Sequence, residues 1–363
     1  MKNTLGNTLK VTLFGESHGQ AIGAVIDGIT PGIKINTDFI DKQLSRRRPC
    51  GDISTARREP DNYQIVSGVL NGTTTGTPIC IIIPNRDTSS GDYSAFSSVA
   101  RPGHADYTAS CKYHGYQDFR GGGHFSGRIT AALVAAGAII QSALADKGIL
   151  IGTHVKRCAR INDADFSDYI SDIKQLEDSV FPTLDTRAGE DMQRAIADAK
   201  ASLDSVGGIL ETAVVGLPCG VGEPWFDSVE SMLSHALFSV PAVKGVEFGD
   251  GFACADMTGS VMNDEFFIEN GEIKTKTNHN GGINGGISNG MPVIFRCAVK
   301  PTPSIAKIQK TVDFNNMKET EIEIHGRHDP AIVHRAGVVV DSVTAIVLCD
   351  LLLGRYGTDW LAK

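Results

Sequence analysis

The run from Gly127 to Gly148, GRITAALVAAGAIIQSALADKG, constrains this chain more than any other stretch. Ala, Val, Ile and Leu occupy nearly every side of a helix drawn through it, and Gly148 stops it. A helix that is apolar all round has no face to offer water, so it is expected at the centre of the molecule. The C-terminal run VVVDSVTAIVLCDLLLGRYG reads as a second apolar helix. Cover must come from the rest of the chain. LKVTLFG, AIGAVIDG, QIVSGVL, PICIIIP, ILETAVVG, PVIFRCAVK and ETEIEIHG carry β-branched and apolar residues between turn formers, and read as strands. NTDFIDKQLSRRR reads as a short helix with Asn36 or Thr37 as its cap and Phe39, Ile40 and Leu44 on one face. RAGEDMQRAIADAKASLDSVGG is an amphipathic helix expected to end at Gly207 and Gly208, and FDSVESMLSHALFSV is another. Residues 85–127 show no clear periodicity. Strands and helices alternate without a steady βαβ rhythm, and no Pro-, Ser- or charge-rich linker divides the 363 residues. One large α/β domain spanning 1–363 is therefore expected.

Composition narrows the partners. Formal net charge is -8, so the basic footprint of a nucleic-acid binder is absent. No apolar run is expected to approach the ~20 residues of a membrane helix. The first residues, MKNTLGNTLK, lack the apolar core of a signal peptide. The eight cysteines form no CxxC pair, which suggests reduced thiols and a cytoplasmic home.

Chemistry concentrates in glycine-flanked polar loops: GESHG (15–19), RPGHAD (101–106), RGGGHFSGR (120–128), NHNGGINGGISNG (278–290) and GRHDP (326–330). GESHG has the spacing of a nucleophile elbow around Ser17. That elbow needs a helix directly after the serine, and the following QAIGAVIDG reads as strand, so the hydrolase reading fails. RGGGHFSGR leads straight into the apolar helix. It is either an anion site at a helix N-terminus or a close contact that only glycine permits. Gly122 and Gly127 have P-loop spacing, but Arg128-Ile129 replaces the Lys-Ser/Thr pair, which removes the ATPase reading. His18 and His104 sit beside glycine, and His328 stands between Arg327 and Asp329. These are candidates for acid–base work, with a His/Asp metal site as the rival. Arg46, Arg47, Arg48, Arg57, Arg58, Arg101, Arg120, Arg128 and Arg327 gather in the same loops. In an acidic chain they imply a local basic pocket for a small polyanion. A metal-dependent phosphatase and a non-catalytic anion-binding protein are the alternatives that these residues leave open.

Taken together, GESHGQAIGAVIDGITPG, RRRP, RREPD, TTGTPI, DYSA, RPGHADYT, the GGG-x-x-S-x-R loop, GEPWFD, AVKGVEFGDGF, NHNGGINGGISNG, KPTPSI and GRHDP resemble, in order, the motifs of the chorismate synthase family. The resemblance covers essentially the whole chain. It implies a 1,4-anti elimination of phosphate and a C6 proton from 5-enolpyruvylshikimate 3-phosphate, the last step of the shikimate pathway, with reduced FMN as cofactor. It also implies a β-α-β sandwich with helices held between antiparallel sheets, assembled as a homotetramer. By the resemblance, Arg48, Arg101, Arg128 and Arg327 hold the substrate's carboxylates and phosphate. His18 matches the acid at the departing phosphate, and His104 the histidine at the flavin N1–O2 edge. Asp329 matches the aspartate that tunes flavin N5, where the C6 proton is received, and Ser17 and Ser126 match serines of a proton relay. FMN contacts transfer to His124, Phe125, Ser126, Pro241, Ala242, Gly285, Lys300, Pro301, Thr302, Pro303, Ser304 and Arg327. Many members read RGGGRxSAR, where this chain has His124 and Phe125, and Pro303 stands where Ser is common. Some members reduce their flavin with NADPH and others take an outside reductant. No nicotinamide fingerprint stands in this sequence.

Overall fold

Apolar alternation builds the first sheet. The structure, a computed structural model, describes residues 2–49, 51, 53–54, 60–86, 98–324 and 329–362. In it β1 (Thr4–Leu5), β2 (Lys10–Gly15), β3 (Ala21–Asp27), β7 (Ile79–Pro84) and β4 (Gln64–Ser67) lie in that order, each pair antiparallel. Along β7, Ile79, Ile81 and Ile83 turn inward and their neighbours outward, the period-two pattern of a sheet with one face on the core. A small hairpin, β5 (Val69–Leu70) and β6 (Thr73–Thr74), follows β4. The second sheet runs β11 (Val243–Phe248), β16 (Val293–Val299), β10 (Gly208–Val215), β8 (Leu150–Cys158), β9 (Ile161–Asn162), again antiparallel throughout. Three further hairpins stand as separate two-stranded sheets among the described residues: β12 (Phe266–Glu269) with β13 (Glu272–Thr275), β14 (Ile283–Asn284) with β15 (Ile287–Ser288), and β17 (Gln309–Asp313) with β18 (Lys318–Ile322).

Helices fill the space between the two sheets. α1 (Thr37–Arg47) starts at Asn36, whose side chain accepts from the Phe39 N–H. It packs on α3 (Thr130–Ala145), and α3 packs on α8 (Val333–Tyr356). α3 also meets β3 and β7 of the first sheet, while α8 meets β8 and β10 of the second and α6 (Val229–Leu237). This is the expected α/β layering, antiparallel sheets with helices between. Fourteen of the sixteen residues of α3 are buried. Gly137 sits mid-helix because a Cβ there would lie 2.3 Å from the Ser342 Cβ on α8. α2 (Asp106–Tyr113), α4 (Tyr169–Glu177), α5 (Thr186–Ala201) and the single turn α7 (Gly259–Met262) complete the set.

Several expectations are corrected. Both α3, with its preceding turn, and α8 are long and apolar enough to cross a membrane, contrary to the reading that no run approached that length. They are core helices: 83% and 94% of their apolar windows lie inside the protein. α5 ends at Ala201, not at Gly207, because Leu203 takes a left-handed conformation (φ 58°) and the chain turns there. α8 begins at Val333, five residues before the apolar run, which places His334 and Arg335 in its first turn. Residues 106–113 are helical although only Ala109 among them is buried, so no apolar stripe betrays the helix. The seven described cysteines are free thiols.

Candidate active site

Three helix ends converge on a cavity of about 250 Å³, walled by Arg47, Ser126, Arg128, Pro241, Asp329 and Arg335 among others. Arg47 closes α1 and is buried. Arg128 lies in the short turn before α3, where the Ser126 hydroxyl accepts from its N–H at 3.3 Å. Arg335 comes from the first turn of α8. Asp61, itself fully buried, binds Arg47 at 2.9 Å, is paired with Arg128, and lies 3.6 Å from the Arg48 Nε. Arg335 donates one bond to Asp329 and another to the Arg47 carbonyl, each 2.8 Å.

Arginines dominate the cavity wall. Among the described residues, Arg47, Arg48 and Arg128 pair with Asp61, and Arg335 pairs with Asp329. Burial pushes the Arg47 guanidinium below its usual range and Asp61 offsets part of this, but Arg335 and Arg48 push it down further. Burial alone would raise the Asp61 carboxyl, yet Arg47 and Arg128 hold it below the usual carboxylate range. A cavity walled by three arginines suits an anionic guest, since guanidinium forks bind carboxylate or phosphate in paired, charge-assisted bonds.

The GESHG turn lies against the glycine loop. Ser17 is fully buried and its N–H donates to the Gly123 carbonyl at 3.0 Å. The His124 Nδ1 donates to the Gly15 carbonyl at 2.7 Å. A Cβ on Gly121 would stand 2.1 Å from the His18 ring, so glycine there makes room for the imidazole. The close-contact reading of RGGGHFSGR thus has a definite partner, the histidine turn. β3 follows that turn, as expected, and no helix stands where a serine elbow needs one. Asn85 ties the turn to the cavity wall. Its Nδ2 donates to the Glu16 and Gly19 carbonyls, and its Oδ1 accepts from the Arg128 Nε, each at 2.9 Å.

A second cluster joins RPGHAD to KPTPS. Arg101 grips Asp106 through two side-chain bonds of 2.8 and 2.7 Å. Burial would raise the Asp106 carboxyl, but Arg101 holds it below the usual range. The His104 Nε2 lies 2.7 Å from the Ser304 hydroxyl, and Lys300 Nζ donates to the Gly103 carbonyl at 2.7 Å. Gly103 rests against Pro303, Ser205 donates to the Thr302 carbonyl at 2.7 Å, and the Lys300 N–H binds the Ala242 carbonyl at 3.0 Å, next to Pro241 on the cavity wall. Pro301 lies between, against Gly207.

Not every anticipated residue converges. Arg48 does not line the cavity; its neighbour Arg47 does. His124 lines a second cavity of about 290 Å³ that shares Ser126, Thr130 and Pro241 with the first. Phe125 is exposed, with its ring 6.1 Å from that of Tyr113. Gly285 sits at the tip of the β14–β15 hairpin and lines neither cavity. His18, Arg101 and His104 also line neither of the two. Arg57, Arg58, Arg327 and His328 lie outside the described residues. Sequence reasoning missed Arg335 and Asn85, and quoted Asp61 without giving it a role. The only signal for Arg335 was an arginine entering an apolar helix next to GRHDP.

Comparison with known proteins fits this geometry. A model of the family described as chorismate synthase matches residues 9–353. A chorismate synthase of Pyrococcus abyssi is 48% identical over 350 residues, covering 96% of this chain and 97% of its own. One from Thermococcus gammatolerans is 45% identical, covering 99% of each chain. A crystal structure titled chorismate synthase superposes with a TM-score of 0.77 at 30% identity, over 98% of this chain and 94% of that one.

Proposed function

The chain belongs to the chorismate synthase family, the phosphate-eliminating lyases that convert 5-enolpyruvylshikimate 3-phosphate to chorismate, and we propose that the arginine-walled cavity at the ends of α1, α3 and α8 is where it does so. The observation that carries this reading is the convergence of the Arg47, Arg128 and Arg335 guanidinium groups on one cavity. A substrate with two carboxylates and a phosphate suits three converging guanidinium groups. Family membership also sets aside the metal-dependent phosphatase reading. The whole chain, 1–363, acts as one catalytic unit in this proposal, in the cytoplasm.

The family uses reduced FMN. The residues assigned to it fit such a group. Lys300, Thr302 and Ser304 offer an ammonium and two hydroxyls on one loop, and the Thr302 Oγ1 is buried with no hydrogen-bond partner among the described residues. Pro241, Ser126 and the apolar wall of Val240, Ile332 and Val339 suit a flat ring. These residues would hold the cofactor, with Ala242, Pro301, Pro303 and Arg327. When bound, reduced FMN supplies electron density to the breaking allylic C–O bond. NADPH or an outside reductant keeps it reduced.

The chain's own groups do the remaining work. Arg47, Arg128 and Arg335 fix the anions, with Arg101 and Arg327 as further contacts. His18 donates a proton to the departing phosphate, supported by Ser17, and general acid help of this kind is worth roughly 10²–10⁴-fold. His104, oriented by Ser304, serves as the second acid. Asp329 keeps its orientation through Arg335, and Ser126 extends the relay. Arg335→Ala should raise KM about 10–100-fold, the loss expected for a hydrogen bond to a charged group. His18→Ala and His104→Ala should fold and lose most of kcat. Steady-state kinetics under reducing, anaerobic conditions checks all three. Near-normal values in any variant remove that residue's role.

A further inference from the structure

Asn85 joins two parts of the site: beside the Ser17–Gly123 and His124–Gly15 bonds that join the histidine turn to the glycine loop, its side chain bonds the turn directly to a guanidinium on the cavity wall. Arginine nitrogens only donate hydrogen bonds, and backbone carbonyls only accept them. A side chain that links one to the other must accept on one side and donate on the other. Asn85 does this at the end of β7, accepting from the Arg128 Nε while its Nδ2 donates to both the Glu16 and the Gly19 carbonyls. Those two carbonyls bracket Ser17 and His18. Its backbone is anchored as well, donating to the Gln20 carbonyl at 3.1 Å. Arg128 is held from its other side by Asp61, which also holds Arg47. A continuous chain of polar contacts therefore runs from α1 through Asp61, Arg128 and Asn85 to the histidine turn.

We propose that Asn85 is a positioning residue that sets the His18 turn in register with the anion-binding face of Arg128. The inference rests on the roles given above to His18 and Arg128, and it adds what neither supplies alone. The acid and the anion clamp lie on different elements, and a displacement of about 1 Å between them can cost on the order of 10²-fold in rate. Asn85 fixes that spacing before substrate arrives. A glutamine is one methylene too long for the same three bonds, and an aspartate offers no donor to the two carbonyls.

The test uses full-length protein carrying Asn85→Asp or Asn85→Ala. Asn85→Asp keeps an acceptor for Arg128 and loses both bonds to the turn. It should lower kcat about 10–100-fold, raise KM because its carboxylate offsets part of the Arg128 charge, and speed amide hydrogen exchange in residues 15–20. Asn85→Ala loses both sides, so KM should rise as well. In a His18→Ala background, Asn85→Asp should change kcat less than about threefold, because the group it positions is gone. An equal loss of kcat in both backgrounds, or wild-type kcat in Asn85→Asp, overturns the proposal. Unchanged exchange across 15–20 overturns it too, whatever His18 does. If His18→Ala turns over normally while Asn85→Asp still loosens 15–20 and lowers kcat, the acid role of His18 falls and so does positioning through it. Unchanged exchange across 15–20 with an inactive His18→Ala instead faults the Asn85 assignment alone.

Discussion

A single glycine decides where the proposed acid can stand. The His18 ring occupies the volume that a side chain on Gly121 would fill, and Gly121 itself holds a left-handed φ of 59°. Gly121→Ala therefore meets two obstacles, a strained backbone and a ring 2.1 Å away. The imidazole must move. The expected result is a folded protein with kcat reduced at least about tenfold and KM little changed, read by steady-state kinetics beside a thermal melt. Wild-type kcat would show that the GGG loop does not set the histidine. At this scale the sequence was partly legible. His18, His104, Arg128 and the glycines stood out because they cluster in loops with turn formers. Arg335 and Asn85 did not, because each acts as an isolated side chain. The Arg47 carbonyl that Arg335 binds lies 288 positions away, and the Arg128 that Asn85 meets lies 43 positions away.

Elements were legible where burial is one-sided or complete. β7 shows clean alternation, and α3 and α8 are apolar throughout. β8 escaped because Gly152, Thr153, His154 and Val155 are all buried, so neither face alternates. Its polar side chains are satisfied only by distant partners. His154, Glu211, Arg296 and Glu247 stand directly opposite one another on β8, β10, β16 and β11, forming a charged row across the sheet. Burial would raise the Glu211 carboxyl, but bonds from His154 at 3.2 Å and Arg296 at 2.6 Å hold it at about 2. Burial would lower His154, but Asp163 and Glu211 keep it raised. The signs follow. Glu211 contributes stability above its ordinary 4.5 and loses it as pH falls toward 2, while His154 contributes below its ordinary 6.5 and loses this as pH rises through its raised value. Glu211→Gln should cost about 3 kcal/mol near neutrality, with the deficit shrinking as pH falls below 4.5. Chemical denaturation across pH reads this directly. A deficit independent of pH would sink the account of the row.

At the scale of the molecule, two apolar helices are enclosed by two antiparallel sheets, and the proposed site lies where three helix ends meet. The ends of the chain are stitched together, since the Asp350 carboxylate on α8 accepts from the N–H groups of Asn7, Thr8 and Leu9. Trp225, Phe226 and Phe252 are each more than four-fifths exposed, a large apolar area for a lone molecule in water. A homotetramer, which the family resemblance implies, would give these rings a cover. Sedimentation should report a particle of four 38.7 kDa chains, and a monomer at micromolar concentration would remove the proposal. The account stands most directly on one assay. Pure protein, chemically reduced FMN and 5-enolpyruvylshikimate 3-phosphate are mixed without oxygen, and chorismate absorbance and free phosphate are followed together. The account predicts that the two products appear in equal amounts and only while the flavin is reduced. Phosphate released without chorismate, or no chorismate from folded protein, would contradict it.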